Sequence, residues 1–293
     1  MFQLLRIELY KIFKRPRTYI AFAVITVIIL LVQIALKFGG EEYVDLMMTG
    51  AKDTFDIPVH QILNGYLVCF VILNLLLIHV PILVALIAGD VVAGEANMGT
   101  LRLSLTKPVG RTQYMLGKFF ASSIYTVLLL LFLAVLALFG SILLFGTNDL
   151  VIFRSTSIHQ MSRDDIFWRY IAAFGYAAVA LTTVASLAFL LSVFAENSIG
   201  PIIATMSIVI VFTILSEMNI PLYDRTIKPY LFTTHMVAWK GFFYVRSNEE
   251  GATIKGSIEN LPAILKSLSV LLIYIFLFVS SAIWIFKKKD ILS

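Results

Sequence analysis

The sequence predicts an all-α membrane protein, a polytopic bundle of six transmembrane helices with N-terminus and C-terminus both inside. Three observations carry that expectation. Hydrophobic residues make up 59% of the 293 and charged residues 14%, against about 25% charged in a soluble domain. Too little polar surface remains to cover a globule of this size, so the surrounding solvent must be lipid. Several apolar runs exceed the roughly 20 residues that a helix needs to cross a bilayer, and none alternates in character as a barrel strand does. Finally, the clustered Lys and Arg fall on the segments that a six-span topology places inside.

In chain order, residues 1–17 read as an N-terminal amphipathic interfacial helix. Phe2, Leu5, Leu9, Ile12 and Phe13 share one face of the helical wheel, and Arg6, Glu8, Lys11, Lys14 and Arg15 share the other, with Leu4 and Ile7 as exceptions. Such a helix suits the membrane surface; the plainer alternative is a basic flank that only orients the first span. Pro16 marks the junction. Span one is expected over 18–36. The run Tyr19 to Leu36 is too long for the core of a signal peptide and no small-residue cleavage site follows it, so it reads as an uncleaved span. Residues 37–62 are polar and read as an external loop.

Span two covers 62–88, interrupted by Asn74, His79 and Pro81. Polar groups in hydrocarbon face other helices or a cavity. His79 could meet a substrate or relay protons, but a helix contact beside a proline kink is the preferred reading. Span three covers 119–145. The polar stretch 146–165 is external, and span four covers 166–195, with Trp168, Tyr170 and Tyr176 near its outer end, where aromatic rings favour the headgroup level. Ala178, Thr182 and Ser186 recur every four residues and would let another helix approach. Glu196-Asn197-Ser198 is a short inside turn, and span five, 199–215, barely reaches across the hydrocarbon. The long external loop 217–266 is rich in aromatics and is expected to hold interfacial or re-entrant helices. Span six covers 268–286 and ends at Lys287, Lys288 and Lys289. The chain thus reads as one transmembrane domain over 1–293.

Several function classes drop out. The net charge of +5 is explained by topology, so no nucleic-acid partner is inferred. The single cysteine, Cys69, forms no internal disulfide or thiolate metal site, and His60, His79, His159 and His235 have no metal-ligand spacing. Gly117-Lys118 lacks the earlier glycine and the following Ser/Thr of a phosphate-binding loop. No catalytic, cofactor or metal site is legible, and the chain reads as a non-enzyme.

The informative stretch is 90–118, between spans two and three. Asp90 and Glu95 put negative charge where the inside pattern calls for Lys or Arg. Gly99-Thr100 breaks or caps a helix. A helical stretch from Leu101 would run to about Lys107, where Pro108 ends it; Val109-Gly110-Arg111 turns, and Thr112 to Lys118 re-enters the bilayer. A short helix held parallel to the membrane would suit a force-bearing contact, and a solvated loop with basic flanks is an equal alternative from these residues alone.

The order Glu95-x-x-x-Gly99-Thr100-Leu101, then Thr106-Lys107-Pro108-Val109-x-Arg111, then Gly117-Lys118, resembles the signature of type-2 ATP-binding-cassette (ABC) permeases. The start, with Glu8, Lys11 and Arg15, looks like that family's interfacial helix, and Trp284 to Ile291 looks like its last span and tail. Arg102 departs from the acidic residue that many members carry after Gly-Thr-Leu. The resemblance implies a six-span half-transporter in a bacterial cell membrane (inner or plasma membrane), working beside a second permease subunit, identical or not, and a cytoplasmic ABC ATPase that would bind the ATP and Mg. Its coupling contacts would be Glu95, Gly99, Thr100, Leu101, Arg102, Lys107, Pro108 and Arg111, with Glu196 and Asn197 as a second contact, and its cargo an amphiphile such as a drug, peptide, lipid or glycolipid. The competing readings are a stand-alone membrane enzyme acting on lipid, for which His79, Asp90 and Glu95 are the available polar groups, and a non-transporting immunity or sensory protein.

Overall fold

A computed structural model describes residues 1–47, 62–105, 109–154, 157–218, 220–246, 248 and 253–289. Among the described residues it is mostly helical, with one two-stranded hairpin. Six helices are long and apolar enough to cross a membrane: Pro16–Met47, Ile78–Asn97, Arg111–Phe145, Arg163–Phe194, Ile199–Glu217 and Leu261–Lys288.

The chain opens with α1 (Phe2–Lys14) and α2 (Pro16–Met47). Arg15 between them is extended, at φ −85° and ψ 130°, because the residue before a proline is pushed out of the helical region, and Pro16 is tolerated in the first turn of α2. Helix α2 runs well past the expected end at 36. Residues 37–47, read as part of an external loop, continue the helix past a kink at Gly39. Their charges mislead a hydropathy reading, whereas the buried Gly40 and Val44 give the extension a packed face. Residues 48–61 of that expected loop lie outside the described residues.

Helix α3 (Gly65–Ala88) starts at a built cap. Asn64 accepts from the Tyr66 and Leu67 amides at 3.0 and 3.1 Å and donates to the Asp149 carbonyl at 2.9 Å, satisfying orphan donors of the first turn. Gly89 separates α3 from α4 (Asp90–Asn97). A Cβ at Gly89 would lie 3.1 Å from the Ile202 side chain, so glycine there lets a later helix cross close by. Gly99 then turns the chain at φ +67°, a conformation that suits residues without a Cβ, into α5 (Thr100–Leu105).

Helix α6 (Arg111–Ala134) widens into a π turn over Val135–Phe139 and resumes as α7 (Gly140–Phe145). Gln33 of α2, only 2% exposed, fills this irregularity. It donates to the Leu136 carbonyl at 3.2 Å and lies 3.1 Å from Ser141 Oγ. The polar stretch expected as a plain loop over 146–165 contains an antiparallel hairpin, β1 (Leu150–Arg154) and β2 (Ser157–Met161), registered Leu150 with Met161 and Arg154 with Ser157. The short runs Leu-Val-Ile-Phe and Ser-Ile-His-Gln carry the β-branched and aromatic residues that such a pair needs.

Helix α8 (Arg163–Phe194) is the hub. Of its apolar window 61% is buried inside the protein, against 11% for the last helix, α12 (Leu261–Lys288). Tyr170 and Tyr176, expected in a headgroup belt, are core residues instead. Their hydroxyls donate to the Tyr66 carbonyl at 2.5 Å and the His235 carbonyl at 2.7 Å, so burial costs no unmade bond. Helix α9 (Ile199–Glu217) follows. The segment after it holds α10 (Pro221–Thr226), a 3₁₀ turn at Lys228–Tyr230, α11 (Phe232–Met236) and a second 3₁₀ stretch at Val237–Phe243. Short helices were expected in this loop; Phe232, Met236, Trp239 and Phe243 are buried against the main core.

The outer faces of α2 and α12 are apolar and exposed, through residues such as Leu30, Leu31, Ile34, Ile273 and Phe276. His79 also faces outward, its Nδ1 2.9 Å from the Leu75 carbonyl of its own helix. It does not make the helix contact that its place beside Pro81 suggested. Asn74 likewise satisfies itself on α3, donating to the Phe70 carbonyl at 2.8 Å.

Candidate functional site

At the end of the bundle that holds the α3–α4 junction, charged side chains from four helices meet, with Glu8, Asp90, Glu95 and Lys118 buried and Lys11, Arg15 and Arg17 partly exposed. Helix α1 lies against α6 with the edge that carries Glu8 and Ile12 turned inward, while Arg6 and Lys14 of the expected polar face stay exposed. Glu8 is 4% exposed. Glu8 and Lys11, three residues apart, share one edge of α1, Arg15 follows just past its end, and the opposing surface supplies partners of both signs.

Lys118 of α6 sits at the centre, 1% exposed. Its ammonium donates to Glu8 Oε2 at 2.9 Å and to the Val91 carbonyl at 2.9 Å, and lies 2.8 Å from Glu95 Oε1. A lysine has three donors and no acceptor, so three acceptors satisfy it. Lys11 reaches Glu8 Oε1 at 2.7 Å and Glu95 Oε1 at 2.8 Å. Tyr114 donates its hydroxyl to the other oxygen of Glu95. Beside this knot, Arg15 and Arg17 both pair with Asp90, the latter at 2.5 Å. Four cations thus meet three carboxylates. Burial alone would lower the Lys11 pKa, but its hydrogen bonds to Glu8 and Glu95 and their charges prevail and raise it above the ordinary lysine value.

The knot fixes helices that differ widely in sequence position. It ties α1 to α4 and α6, while Ser192 near the end of α8 accepts from the Val92 and Ala93 amides at 3.1 and 2.8 Å. Those amides are early orphan donors of α4, so α4 is capped by α8. Under the knot a small apolar cluster holds Leu101, Tyr114, Met115, Phe119, Phe189 and Phe286. Leu101, 7% exposed, anchors α5 there.

The candidate coupling residues therefore divide. Glu95 is 3% exposed and engaged by Lys11, Lys118 and Tyr114. Arg111 donates to the Lys287 and Lys289 carbonyls at 2.9 and 3.0 Å, capping the last turn of α12, where a cation is favoured. Gly99 and Thr100 are exposed, and Thr100 Oγ1 donates to the Glu95 carbonyl at 3.3 Å. Arg102 lies within α5. Lys107 and Pro108 lie outside the described residues. Glu196 and Asn197 are exposed in the turn between α8 and α9, with the Asn197 side chain accepting from the Ile199 amide at 3.0 Å. Glu8, Lys11 and Arg15, grouped as one interfacial helix, are all members of the knot.

Sequence reasoning noted Asp90 only as an out-of-pattern negative charge and a polar group for the enzyme alternative, and Lys118 only as part of the family signature, and it missed Tyr114 and Ser192. The available signal was charge inside an otherwise apolar interval. Lys118 stands directly before the apolar run of span three and needed a counter-charge.

Between α1 and the Gly99 corner runs an open groove of about 480 Å³. Its walls include Tyr10, Lys14, Met98, Thr100 and Leu103. Met98 is 55% and Leu103 69% exposed. Among the described residues no group of three or more His, Cys, Asp or Glu is placed to hold a metal ion. What the arrangement does is brace a short projecting corner against the bundle.

A protein-family model described as "Protein of unknown function (DUF2705)" matches residues 46–292. The uncharacterized protein YhcI of Bacillus subtilis (strain 168) is 28% identical over 119 residues, which cover 39% of this chain and 37% of that protein. The match thus spans well under half the length of this curated relative.

Proposed function

The chain belongs to the DUF2705 family, and from that premise we propose that it is the membrane-spanning permease subunit of an ATP-driven ABC transporter. In this reading it exports an amphiphile (a drug, peptide, lipid or glycolipid) and a separate cytoplasmic ATPase subunit binds ATP and Mg. A second permease subunit, identical or not, completes the assembly. The observation that carries the reading is the braced corner at Gly99. A force-bearing contact must be stiff behind and exposed in front. Behind the corner stand the Lys118 knot and the buried Leu101; in front are Met98, Thr100 and Leu103 beside a groove.

The topology follows from charge. Arg6, Lys11, Lys14, Arg15, Arg17 and Lys287 to Lys289 all flank spans on the side of the Gly99 corner, which the positive-inside rule makes cytoplasmic. Both termini are then inside, and α1, with Phe2 at 87% and Tyr10 at 65% exposed, lies at the membrane surface. The 196–198 turn emerges at the same end, since Ser192 caps α4, and forms the second contact. Closure of the ATPase pair on ATP would push the corner and rock the helices as rigid bodies.

The test is a pull-down in mild detergent from the native membrane, scored for a co-purifying ATPase of separate sequence. Met98→Glu and Leu103→Glu, at side chains exposed on the groove, should lose the ATPase while the chain still inserts. Retention by both variants would overturn the assigned contact. Absence of any ATPase from the unaltered chain in several detergents would overturn the transporter reading.

A further inference from the structure

A second concavity lies away from the Gly99 corner, at mid-height between α3, α6 and α8. It is closed on one side by Met236 and Trp239 of the segment after α9. Two features of sequence open it. Pro81 removes a helical N–H from α3. Ala173, Ala177 and Ala180 line the facing stripe of α8, spaced by four and three residues so that small side chains recur on one face.

The lining is aliphatic or aromatic throughout, and Met236 adds only a thioether. A bound water needs two to four polar partners, and this crevice does not offer them. Its volume is about 60 Å³, less than half of the ~150 Å³ cavity that holds benzene, so it takes only the end of a chain, a few methylenes, and excludes a ring. Leu73, Phe174 and Ala177 are the half-buried members of its wall and form its mouth, between α3 and α8. Leu73 to Pro81 lie eight to sixteen residues beyond Gly65, or about 12–24 Å along the helix at ~1.5 Å per residue. That depth falls within the ~30 Å hydrocarbon layer.

We propose that this crevice is a binding site for the acyl chain of a bilayer lipid, entering between α3 and α8 and ending against Trp239. The proposal rests on residence in a bilayer and is independent of the transport reading.

The chain has three tryptophans, which makes a direct test available. Trp168→Phe with Trp284→Phe leaves Trp239, which is 5% exposed. Trp168→Phe with Trp239→Phe leaves Trp284, which is 59% exposed on α12. Both full-length variants are reconstituted into phosphatidylcholine vesicles with and without lipid brominated along the acyl chain, which quenches indole on contact. Trp284 should be quenched, reporting the bilayer. Trp239 should also lose most of its emission, although protein covers it. Ala177→Leu at the mouth, or Ala180→Leu inside if the first fails to insert, should restore the Trp239 emission and leave Trp284 quenched. A quenched Trp284 beside an unquenched Trp239 overturns the crevice site alone, as does quenching of Trp239 that neither leucine relieves. An unquenched Trp284 overturns residence in the bilayer, and the crevice site with it.

Discussion

Lys118 illustrates how one residue can hold a site together. Its three donors meet Glu8, Glu95 and the Val91 carbonyl with almost no solvent present. A buried pair adds little over an apolar replacement, but losing one partner leaves a charge uncompensated and costs about 3–5 kcal/mol. Lys118→Met should therefore lower the unfolding temperature in detergent markedly. The triple change Lys118→Met, Glu8→Gln and Glu95→Gln should recover part of the loss, and a single variant as stable as the unaltered chain would sink the assignment. Lys11 sets the pH response. Its raised pKa means that its stabilisation is complete below the ordinary lysine value of 10.5 and is lost as pH rises through the folded value. Unfolding temperature should hold steady through neutral pH and fall only in strong alkali, and Lys11→Met should flatten that fall. The knot was half legible in the sequence. Glu8, Lys11, Arg15 and Glu95 stand out as charges beside apolar runs, but which of them face inward depends on α1 lying against α6, a long-range packing choice that no local pattern encodes.

At the scale of elements, the Gly99 corner is the feature that sequence resolved best. Gly99-Thr100 suggested a break followed by a short helix, and a left-handed Gly99 followed by α5 from Thr100 is what stands there. A Cβ at Gly99 would meet nothing within 4 Å, so the effect of Gly99→Ala is purely one of backbone, about 1–2 kcal/mol for a left-handed alanine. Chemical unfolding should show that loss with ATPase capture intact. Gly99→Pro cannot adopt φ +67° because its ring locks φ near −65°; the corner must be re-aimed, and capture should fail while insertion persists. Unchanged capture by the proline variant would count against a geometrically defined contact. Element ends were read less well, and for one reason. Hydropathy ends a helix where lipid-compatible residues end, at 36 for α2, whereas backbone hydrogen bonding carries it to Met47. The hairpin at 150–161 was missed because each strand is only five residues long, too short for its alternation to register against polar neighbours.

Across the whole molecule a second charged lock answers the first at the opposite end. Arg169 is fully buried and donates to Asp165 Oδ2 at 2.6 Å, to the Phe242 carbonyl at 2.5 Å and to the Ser257 carbonyl at 2.8 Å. Asp165 Oδ2 in turn accepts from the Gly256 amide at 3.1 Å. This residue pins the long segment after α9 onto α8. Arg169→Met should expose that segment, and trypsin should then cut more quickly after the exposed Arg246 and Lys255. Cutting at the original rate would show that the burial of Phe243 and Trp239 suffices without the arginine. Sequence reasoning anticipated ordered helices in this segment from its aromatics but attached no importance to Arg169, which reads there as one more basic residue near a span end.

Two locks at opposite ends, with an apolar middle, make the bundle mechanically uneven. A beam clamped at both supports deflects between them. Pro81, which breaks the hydrogen-bond ladder of α3, lies between the locks, and so does the π turn at Val135–Phe139, with Gln33 as its plug. A push delivered at Gly99 would then be absorbed by the give of this waist, with the clamped ends keeping their shape.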